Sequence, residues 1–293
     1  MKRWTILTAI LFLVQAQAEE VKLSHASLGL NANLEQAESW PAGPVVLITH
    51  GTLSHNKSEI ITTLQGLFLE NAISTLAINL SLGLDDRHGP YDCATPHTHN
   101  HEDAVQEIGA WLAWLERQGA QQVILAGHSR GGNQTAWFAV ERDEPVIKKV
   151  ILIAPQTWSP EYAAEGYSGT YGKPLEPVLK KAKILITAGK PKTLMQNTDF
   201  IYCKETAASA EAFISYYAPD PRKDTPYLLP KINKPVLVFA ATEDQLVKGL
   251  DKKLAPMAEM GTIELEVIDG ADHFFRDLYA EDLVDLAVEF INE

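Results

Sequence analysis

A serine near the middle of the chain lies in a short motif framed by glycines. Gly127-His128-Ser129-Arg130-Gly131 has the pattern G-x-S-x-G. This spacing predicts a sharp turn between a strand and a helix, because small residues on both sides of the serine let the two elements approach closely. Such a turn lifts the serine hydroxyl out of the sheet, and the helix N-terminus favours negative charge developing beside it. The motif therefore indicates Ser129 as a nucleophile.

The residues on either side of the motif supply the context that it requires. An apolar run at 122–126 leads into it as a strand, and Gly131-Gly132 begins a helical pattern. A chance G-x-S-x-G in a surface turn would lack this strand and this helix. We therefore interpret the motif as a nucleophile turn.

A serine hydroxyl is a weak nucleophile until a base takes its proton, and the base needs an acid to orient it. Enzymes with the nucleophile on such a turn carry the acid and then the histidine later in the chain. Glu243 and Asp244 follow the apolar run 235–240, and Asp244 lies in the loop just beyond it. His273 follows the last predicted strand. We predict that His273 is the base and Asp244 the acid, with Glu243 as the alternative.

Two backbone N–H groups are needed to bind the oxyanion of an acyl-transfer intermediate. One is predicted to come from Arg130, the residue after the nucleophile. The other is predicted to come from Thr52, in the loop that follows the first central strand, with Leu53 as an alternative donor.

The elements that must position these residues follow a regular alternation. From residue 45, short apolar runs alternate with helical patterns, which predicts an α/β fold with a mostly parallel central sheet flanked by helices. Residues 21–40 carry a weak signal for early antiparallel strands. The predicted strands are 45–49, 75–80, 123–127, 149–154, 235–240 and 263–268. The predicted helices are 59–71, 100–117, 132–141, 247–260 and 281–291.

One stretch, residues 156–234, breaks this alternation. Seven of the nine tyrosines fall in it, together with several Pro and Gly residues. A connection of this length is usually functional or forms a small subdomain. We predict a lid or cap inserted into a single domain of residues 19–293. Most of its aromatic side chains are expected to hold the cap together and a minority to contact substrate.

Four histidines, His88, His97, His99 and His101, lie among acidic residues in the irregular stretch after the second central strand. A metal site is one interpretation, but a solvated polar segment is commoner for such a pattern, and we predict no metal site. Because the stretch follows a central strand, it is also expected to border the mouth of the active site.

The N-terminus has the three parts of a secretory signal. Lys2 and Arg3 precede an apolar run at 4–14, and Ala16-Gln17-Ala18 matches a signal-peptidase site. We predict a cleaved signal peptide at 1–18, an uncleaved anchor being the alternative. The mature protein is then periplasmic or secreted and has no stable membrane anchor.

The net charge of the chain excludes one class of binding partner. The net charge of −13 becomes −15 when residues 1–18, with two cations and no anions, are removed. A chain this acidic is repelled by nucleic acid, so nucleic acid is excluded as a partner.

Cys93 and Cys203 form either a disulfide, which would tie the histidine-rich stretch to the cap, or two separate thiols.

The motifs together resemble the α/β-hydrolase superfamily over about residues 43–155 and 233–291. His50-Gly51, Ser129, Asp244 and His273 fall in that family's order. The run Pro235–Val247 resembles the acid-bearing segment of many members, which favours Asp244 over Glu243. The resemblance implies an α/β-hydrolase fold and hydrolysis of an ester-type bond without a cofactor.

We expect a serine hydrolase, similar to carboxylesterases, that cleaves a carboxylic ester or thioester of a small or medium substrate through an acyl-enzyme. A peptidase or amidase with the same three residues is the first alternative. A binding protein that keeps the fold without catalysis is the second.

Overall fold

The structure, a computed structural model, describes residues 18–293, so residues 1–17 of the predicted signal peptide lie outside it. Among the described residues, no helix has the length and apolar character needed to cross a membrane. The strands are β1 (Glu19–His25), β2 (Leu28–Glu35), β3 (Val45–Thr49), β4 (Ser74–Asn79), β5 (Val123–His128), β6 (Ile147–Ile153), β7 (Leu194–Phe200), β8 (Cys203–Ser209), β9 (Val236–Ala241) and β10 (Glu264–Ile268).

Eight of these strands form one sheet in the order β1-β2-β4-β3-β5-β6-β9-β10. The first two pairings, β1 with β2 and β2 with β4, are antiparallel, and all the others are parallel. The weak antiparallel signal at 21–40 is therefore confirmed by β1 and β2. The predicted α/β class with a mostly parallel sheet is confirmed as well.

The helices lie between the strands at close to the predicted positions. They are α1 (Glu59–Glu70), α2 (Asp103–Gln118), α3 (Arg130–Glu141), α4 (Pro160–Tyr171), α5 (Leu175–Thr187), α6 (Ala210–Tyr217), α7 (Thr225–Leu228), α8 (Leu250–Glu259) and α9 (Leu278–Asn292). The helix predicted from 247 begins at Leu250, because Gly249 is left-handed, with φ 67°. The helix predicted from Asn100 begins at Asp103, whose carboxylate accepts a hydrogen bond from the Asn100 N–H at 2.7 Å.

The central strands are buried on both faces, and successive side chains enter different apolar clusters. Val45 and Leu47 of β3 belong to the cluster that includes residues of α2, α3 and α8. Val46 and Ile48 belong to the cluster that includes residues of α1 and α9. This is the alternation that a strand imposes, and it explains why parallel strands read as continuous apolar runs. The two layers fix the carboxyl edge of the sheet, where the loops after β3, β5 and β9 meet.

The 156–234 segment lies between β6 and β9 in the chain and has an apolar cluster of its own. It contains α4 to α7 and the antiparallel hairpin of β7 and β8. The cluster includes Tyr167, Phe200, Phe213 and Tyr216, and Leu53 from the loop after β3 packs against it. The segment is therefore in contact with the loop that carries the predicted oxyanion donor.

A disulfide joins this segment to the 81–101 loop, the irregular stretch after β4. Cys93 and Cys203 are bonded, with Cα atoms 5.3 Å apart. Backbone hydrogen bonds from the His97 N–H to the Ala207 oxygen (2.7 Å) and from the Ser209 N–H to the His97 oxygen (2.9 Å) add to this connection. The pairing that the sequence left open is therefore present, and it links the 81–101 loop to β8.

Candidate active site

Ser129 occupies a strained turn between β5 and α3. Its backbone angles are φ 57° and ψ −122°, which non-glycine residues rarely adopt. The Ser129 N–H donates to the Ile153 oxygen at 2.9 Å, and its carbonyl accepts from the Gln156 N–H at 3.0 Å. Hydrogen bonds with the end of β6 and with the residues after it therefore hold the serine in this conformation.

The glycines of the motif are required by close contact between backbones. A Cβ on Gly127 would lie 2.5 Å from the Gly131 oxygen, and one on Gly132 would lie 2.9 Å from the Gly127 oxygen. A Cβ on Gly131 would clash with the backbone oxygen of His50. Glycine at these positions lets α3 begin directly against β5 and the loop after β3.

His273 and Asp244 form a buried hydrogen-bonded pair. Nδ1 of His273 lies 2.7 Å from Oδ2 of Asp244, and Oδ1 of Asp244 accepts from the N–H groups of Leu246 (2.7 Å) and Val247 (2.8 Å). Burial alone would raise the pKa of Asp244, but the hydrogen bonds from His273 and these N–H groups outweigh it and lower the pKa. The carboxylate is therefore ionised, and it fixes the Nδ1–H tautomer that leaves Nε2 of His273 able to accept a proton.

The neighbouring acid, Glu243, has a different environment. Its side chain is exposed, and its backbone N–H donates to the Ala271 oxygen at 3.0 Å. Of the two acids that the sequence offered, the structure brings Asp244 to the imidazole of His273.

The two predicted oxyanion donors lie next to the serine. Thr52 and Arg130 border the same cavity as Ser129, and a Cβ on Gly51 would lie 3.2 Å from Cβ of Ser129. The Arg130 side chain donates from Nε to the Thr52 hydroxyl at 2.9 Å, which ties the two donor residues together. The side chain of Leu53, the alternative donor, packs against the cluster of the 156–234 segment.

Ser129 lies where two cavities meet. The first has a volume of about 640 Å³ and is lined by His273 and by apolar side chains that include Ile60, Leu67 and Phe274. The second has a volume of about 250 Å³, and its lining includes seven aromatic side chains of the 156–234 segment. A bond held at Ser129 can therefore extend one part into each cavity.

Comparison with known proteins shows the family to which the chain belongs. The sequence model of the alpha/beta hydrolase family matches residues 45–286. The chain belongs to the alpha/beta hydrolase family. A search of curated proteins finds no match to this hydrolase.

Solved structures share the fold of this hydrolase at low sequence identity. Est1E from Butyrivibrio proteoclasticus is 20% identical with a TM-score of 0.66, covering 94% of this chain and 99% of its own. GrgF from Penicillium sp. sh18, an alpha/beta hydrolase, is 14% identical with a TM-score of 0.65, covering 94% of this chain and 98% of its own. The Pyrococcus furiosus esterase PF2001 is 14% identical with a TM-score of 0.62, covering 94% and 91%. At these identities the similarity establishes the fold.

His128 and His50 have roles in this hydrolase that sequence reasoning missed. Nε2 of His128 lies 2.9 Å from the carbonyl oxygen of His273, so His128 holds the loop that carries His273. Nε2 of His50 accepts from the Leu80 N–H at 3.1 Å and fastens the loop after β3 to the end of β4. Burial is the main cause that lowers the pKa of both to about 3, and the positive charge of Arg87 also lowers the pKa of His50. Both rings are therefore neutral structural groups. The sequence indicated the position of His50 through His50-Gly51 and that of His128 through the serine motif, but it gave no sign of these hydrogen bonds.

The prediction of a solvated histidine-rich stretch is wrong for three of its four histidines. His97, His99 and His101 are at most 1% exposed, because they pack against aromatic side chains of the 156–234 segment. Nδ1 of His99 lies 2.8 Å from the Tyr216 hydroxyl. Burial is the main cause that lowers the pKa of all three histidines. Nearby positive charge lowers the pKa of His99 and His101 further. The loop borders the site through Arg130, which donates to Nδ1 of His101 at 3.2 Å.

Only one group of three metal-ligand side chains is close enough to share an ion within residues 18–293. It consists of Glu20, Asp86 and His88, where Nζ of Lys22 already lies 2.5 Å from Asp86 and 3.3 Å from Glu20. The lysine forms ion pairs with both carboxylates, so the group is an ion-pair cluster near the surface.

Proposed function

We propose that this protein is a serine hydrolase that cleaves a carboxylic ester or thioester through an acyl-enzyme. The observation that carries the proposal is the buried 2.7 Å hydrogen bond between Asp244 and His273, whose imidazole shares a cavity with Ser129. A carboxylate that orients a histidine beside a serine on a strained turn is the arrangement that activates a hydroxyl for acyl transfer.

The reaction follows from these groups. Nε2 of His273 takes the proton of the Ser129 hydroxyl as Oγ attacks the carbonyl carbon, and Asp244 stabilises the imidazolium. The N–H groups of Arg130 and Thr52 bind the oxyanion. His273 then gives the proton to the leaving alcohol or thiol, and a water that it activates releases the acid.

Further support comes from the fold neighbours and from the disulfide. Est1E has been solved with ferulic acid bound, and PF2001 is an esterase, which favours ester over amide cleavage for this chain.

We also propose export to the periplasm or the outside of the cell, since a disulfide persists in an oxidising compartment and residues 1–18 have the pattern of a signal peptide. The 156–234 segment is proposed to act as a cap, because it lines the second cavity at Ser129.

A fluorophosphonate probe tests the proposal directly. We expect wild-type protein to be labelled and to hydrolyse 4-nitrophenyl esters, and Ser129→Ala to lose both properties. Ser168→Ala, which alters an exposed serine on α4, serves as the matched control and should retain both. Absence of labelling in folded wild-type protein would refute the proposed serine hydrolase activity. Faster cleavage of amino-acid anilides than of the esters would replace the esterase with a peptidase or amidase.

A further inference from the structure

The second cavity contains one cation and no anion among its described lining residues. Six tyrosines and Trp158 contribute to the wall, and Arg130 is the only charged side chain among the wall residues that the structure describes. Ser129 is one of the residues that line this cavity, so a group bound there can border the serine.

Five of the six tyrosine hydroxyls of this cavity are hydrogen-bonded to protein groups. The hydroxyl of Tyr162 donates to the Leu246 oxygen at 2.8 Å, and that of Tyr167 donates to the Asp199 oxygen at 3.1 Å. The Tyr217 hydroxyl accepts from the Ile201 N–H at 3.0 Å, and the Tyr216 hydroxyl bonds His99. Most of the tyrosines therefore contribute aromatic rings rather than free hydroxyls, and Arg130 is the one charged group among the described lining residues.

The charge of Arg130 has no carboxylate counterion within the described part of the chain. Its guanidinium donates to the Thr52 hydroxyl (2.9 Å) and to Nδ1 of His101 (3.2 Å), and it lies 5.1 Å from the ring centre of Tyr216. Among residues 18–293, no carboxylate lies within 4.0 Å of it. By contrast, Arg276, which lines the first cavity, is paired with Asp272.

The position of His273 decides which part of the substrate enters which cavity. His273 lines the first cavity and is not among the described residues that line the second. Since His273 must protonate the leaving alcohol or thiol, that group lies in the first cavity. The acyl group then extends into the second cavity, toward Arg130.

We propose that Arg130 is a specificity-determining residue that binds a carboxylate on the acyl part of the substrate. A partly buried guanidinium without a counterion is stabilised by a carboxylate, which it can bind through two parallel hydrogen bonds. The substrates are then half-esters or half-thioesters of dicarboxylic acids. This inference rests on the proposed function, because it assigns the acyl side of that reaction.

Matched substrates test the inference through a ratio of rates. The mono-4-nitrophenyl esters of glutaric and adipic acid are compared with the same esters whose free carboxyl is methylated. For wild-type protein we expect kcat/KM to favour the free acid by roughly tenfold or more at one of these chain lengths, the effect of one charge-assisted hydrogen bond. No preference for the acid at either length, in protein that hydrolyses the methylated esters, would overturn the carboxylate subsite and leave the hydrolase intact.

Variants locate the preference. Arg130→Gln is expected to bring the ratio close to one, whatever its effect on absolute rates, and Arg130→Lys to retain part of the preference. Arg276→Gln removes a guanidinium from the first cavity and should keep the wild-type ratio. A ratio that collapses in Arg276→Gln, or persists in Arg130→Gln, would overturn the assignment to Arg130.

Binding by inactive protein separates this inference from the proposed function. Ser129→Ala protein should bind the adipate half-ester more tightly than its methylated form by isothermal titration calorimetry, and Ser129→Ala/Arg130→Gln should not. Ser129→Ala protein could show this preference while wild-type protein hydrolyses neither ester. That result would support the carboxylate subsite and contradict the proposed hydrolase activity. Equal binding of the two esters by Ser129→Ala protein would overturn the subsite.

Discussion

The side chain of His128 is hydrogen-bonded to the backbone of His273, with Nε2 lying 2.9 Å from the carbonyl oxygen. Since a carbonyl only accepts, Nε2 of His128 is the donor. The two rings also lie close together, with centroids 4.8 Å apart. The residue before the proposed nucleophile therefore positions the loop of the proposed base.

Removal of this bond should slow the reaction without weakening substrate binding. We expect His128→Phe to reduce kcat by roughly five- to tenfold, the effect of losing one hydrogen bond of about 1 kcal/mol, with KM little changed. His128→Gln keeps an amide donor and should fall between wild type and His128→Phe. Steady-state kinetics on a 4-nitrophenyl ester measures both constants, and a wild-type kcat for His128→Phe would show that the bond does not position His273.

The choice between the two adjacent acids can be tested by matched amide substitutions. Asp244→Asn should lower kcat by about 10³- to 10⁴-fold, because the amide favours the wrong tautomer of the imidazole. Glu243→Gln alters an exposed side chain and should stay within about twofold of wild type. Comparable losses in both variants would remove Asp244 from its proposed role.

The buried histidines predict loss of stability in acid. Burial is the main cause that lowers the pKa of His97 to about 4 and those of His50, His99 and His128 to about 3. In the unfolded chain these groups titrate near 6.5. Below that pH the unfolded state therefore binds more protons than the native state does. The free energy of unfolding should therefore fall as the pH drops from about 6.5 toward 3, by up to about 1.4 kcal/mol per pH unit for each histidine.

Urea denaturation at pH 7.5 and pH 5.5 measures this dependence. His99→Gln should show a shallower decrease than wild type, because one histidine with a depressed pKa is gone. An unchanged pH dependence in His99→Gln would mean that the native state accepts a proton at His99.

The disulfide should contribute to stability mainly through the 156–234 segment. Cys93→Ala/Cys203→Ala is expected to lower the free energy of unfolding by about 2 to 5 kcal/mol, as for other native disulfides that close long loops. Limited proteolysis of the native protein should cut 156–234 faster in this variant. Reduced wild-type protein should behave like the variant, and equal cleavage rates in all three forms would show that the bond does not stabilise the segment.

The nucleophile turn was predictable because its causes are local. The glycines around Ser129 are required by backbone contacts within a few residues along the chain and with the adjacent strand. The apolar runs of the central strands were equally clear, since both faces of these strands are covered. Asp244 and Glu243 could not be separated by residue type, because the direction of each side chain depends on the loop after β9.

The surroundings of the site could not be predicted, because they depend on contacts between distant parts of the chain. His97 and His99 are polar by sequence, and their burial arises from Phe200 and Tyr216 of the 156–234 segment. The side chain of Arg130 likewise acquires its environment from Thr52 and His101. No periodicity within the 81–101 loop signals these partners.

The bond between Cys93 and Cys203 closes the intervening polypeptide into a covalent ring. Ser129 belongs to that ring, whereas Asp244 and His273 belong to the open tail that follows it. A single peptide cleavage anywhere from 94 to 202 would leave one covalently connected molecule until the disulfide is reduced. Truncation before residue 244, by contrast, would remove the proposed acid and the proposed base together and leave Ser129 alone within the ring.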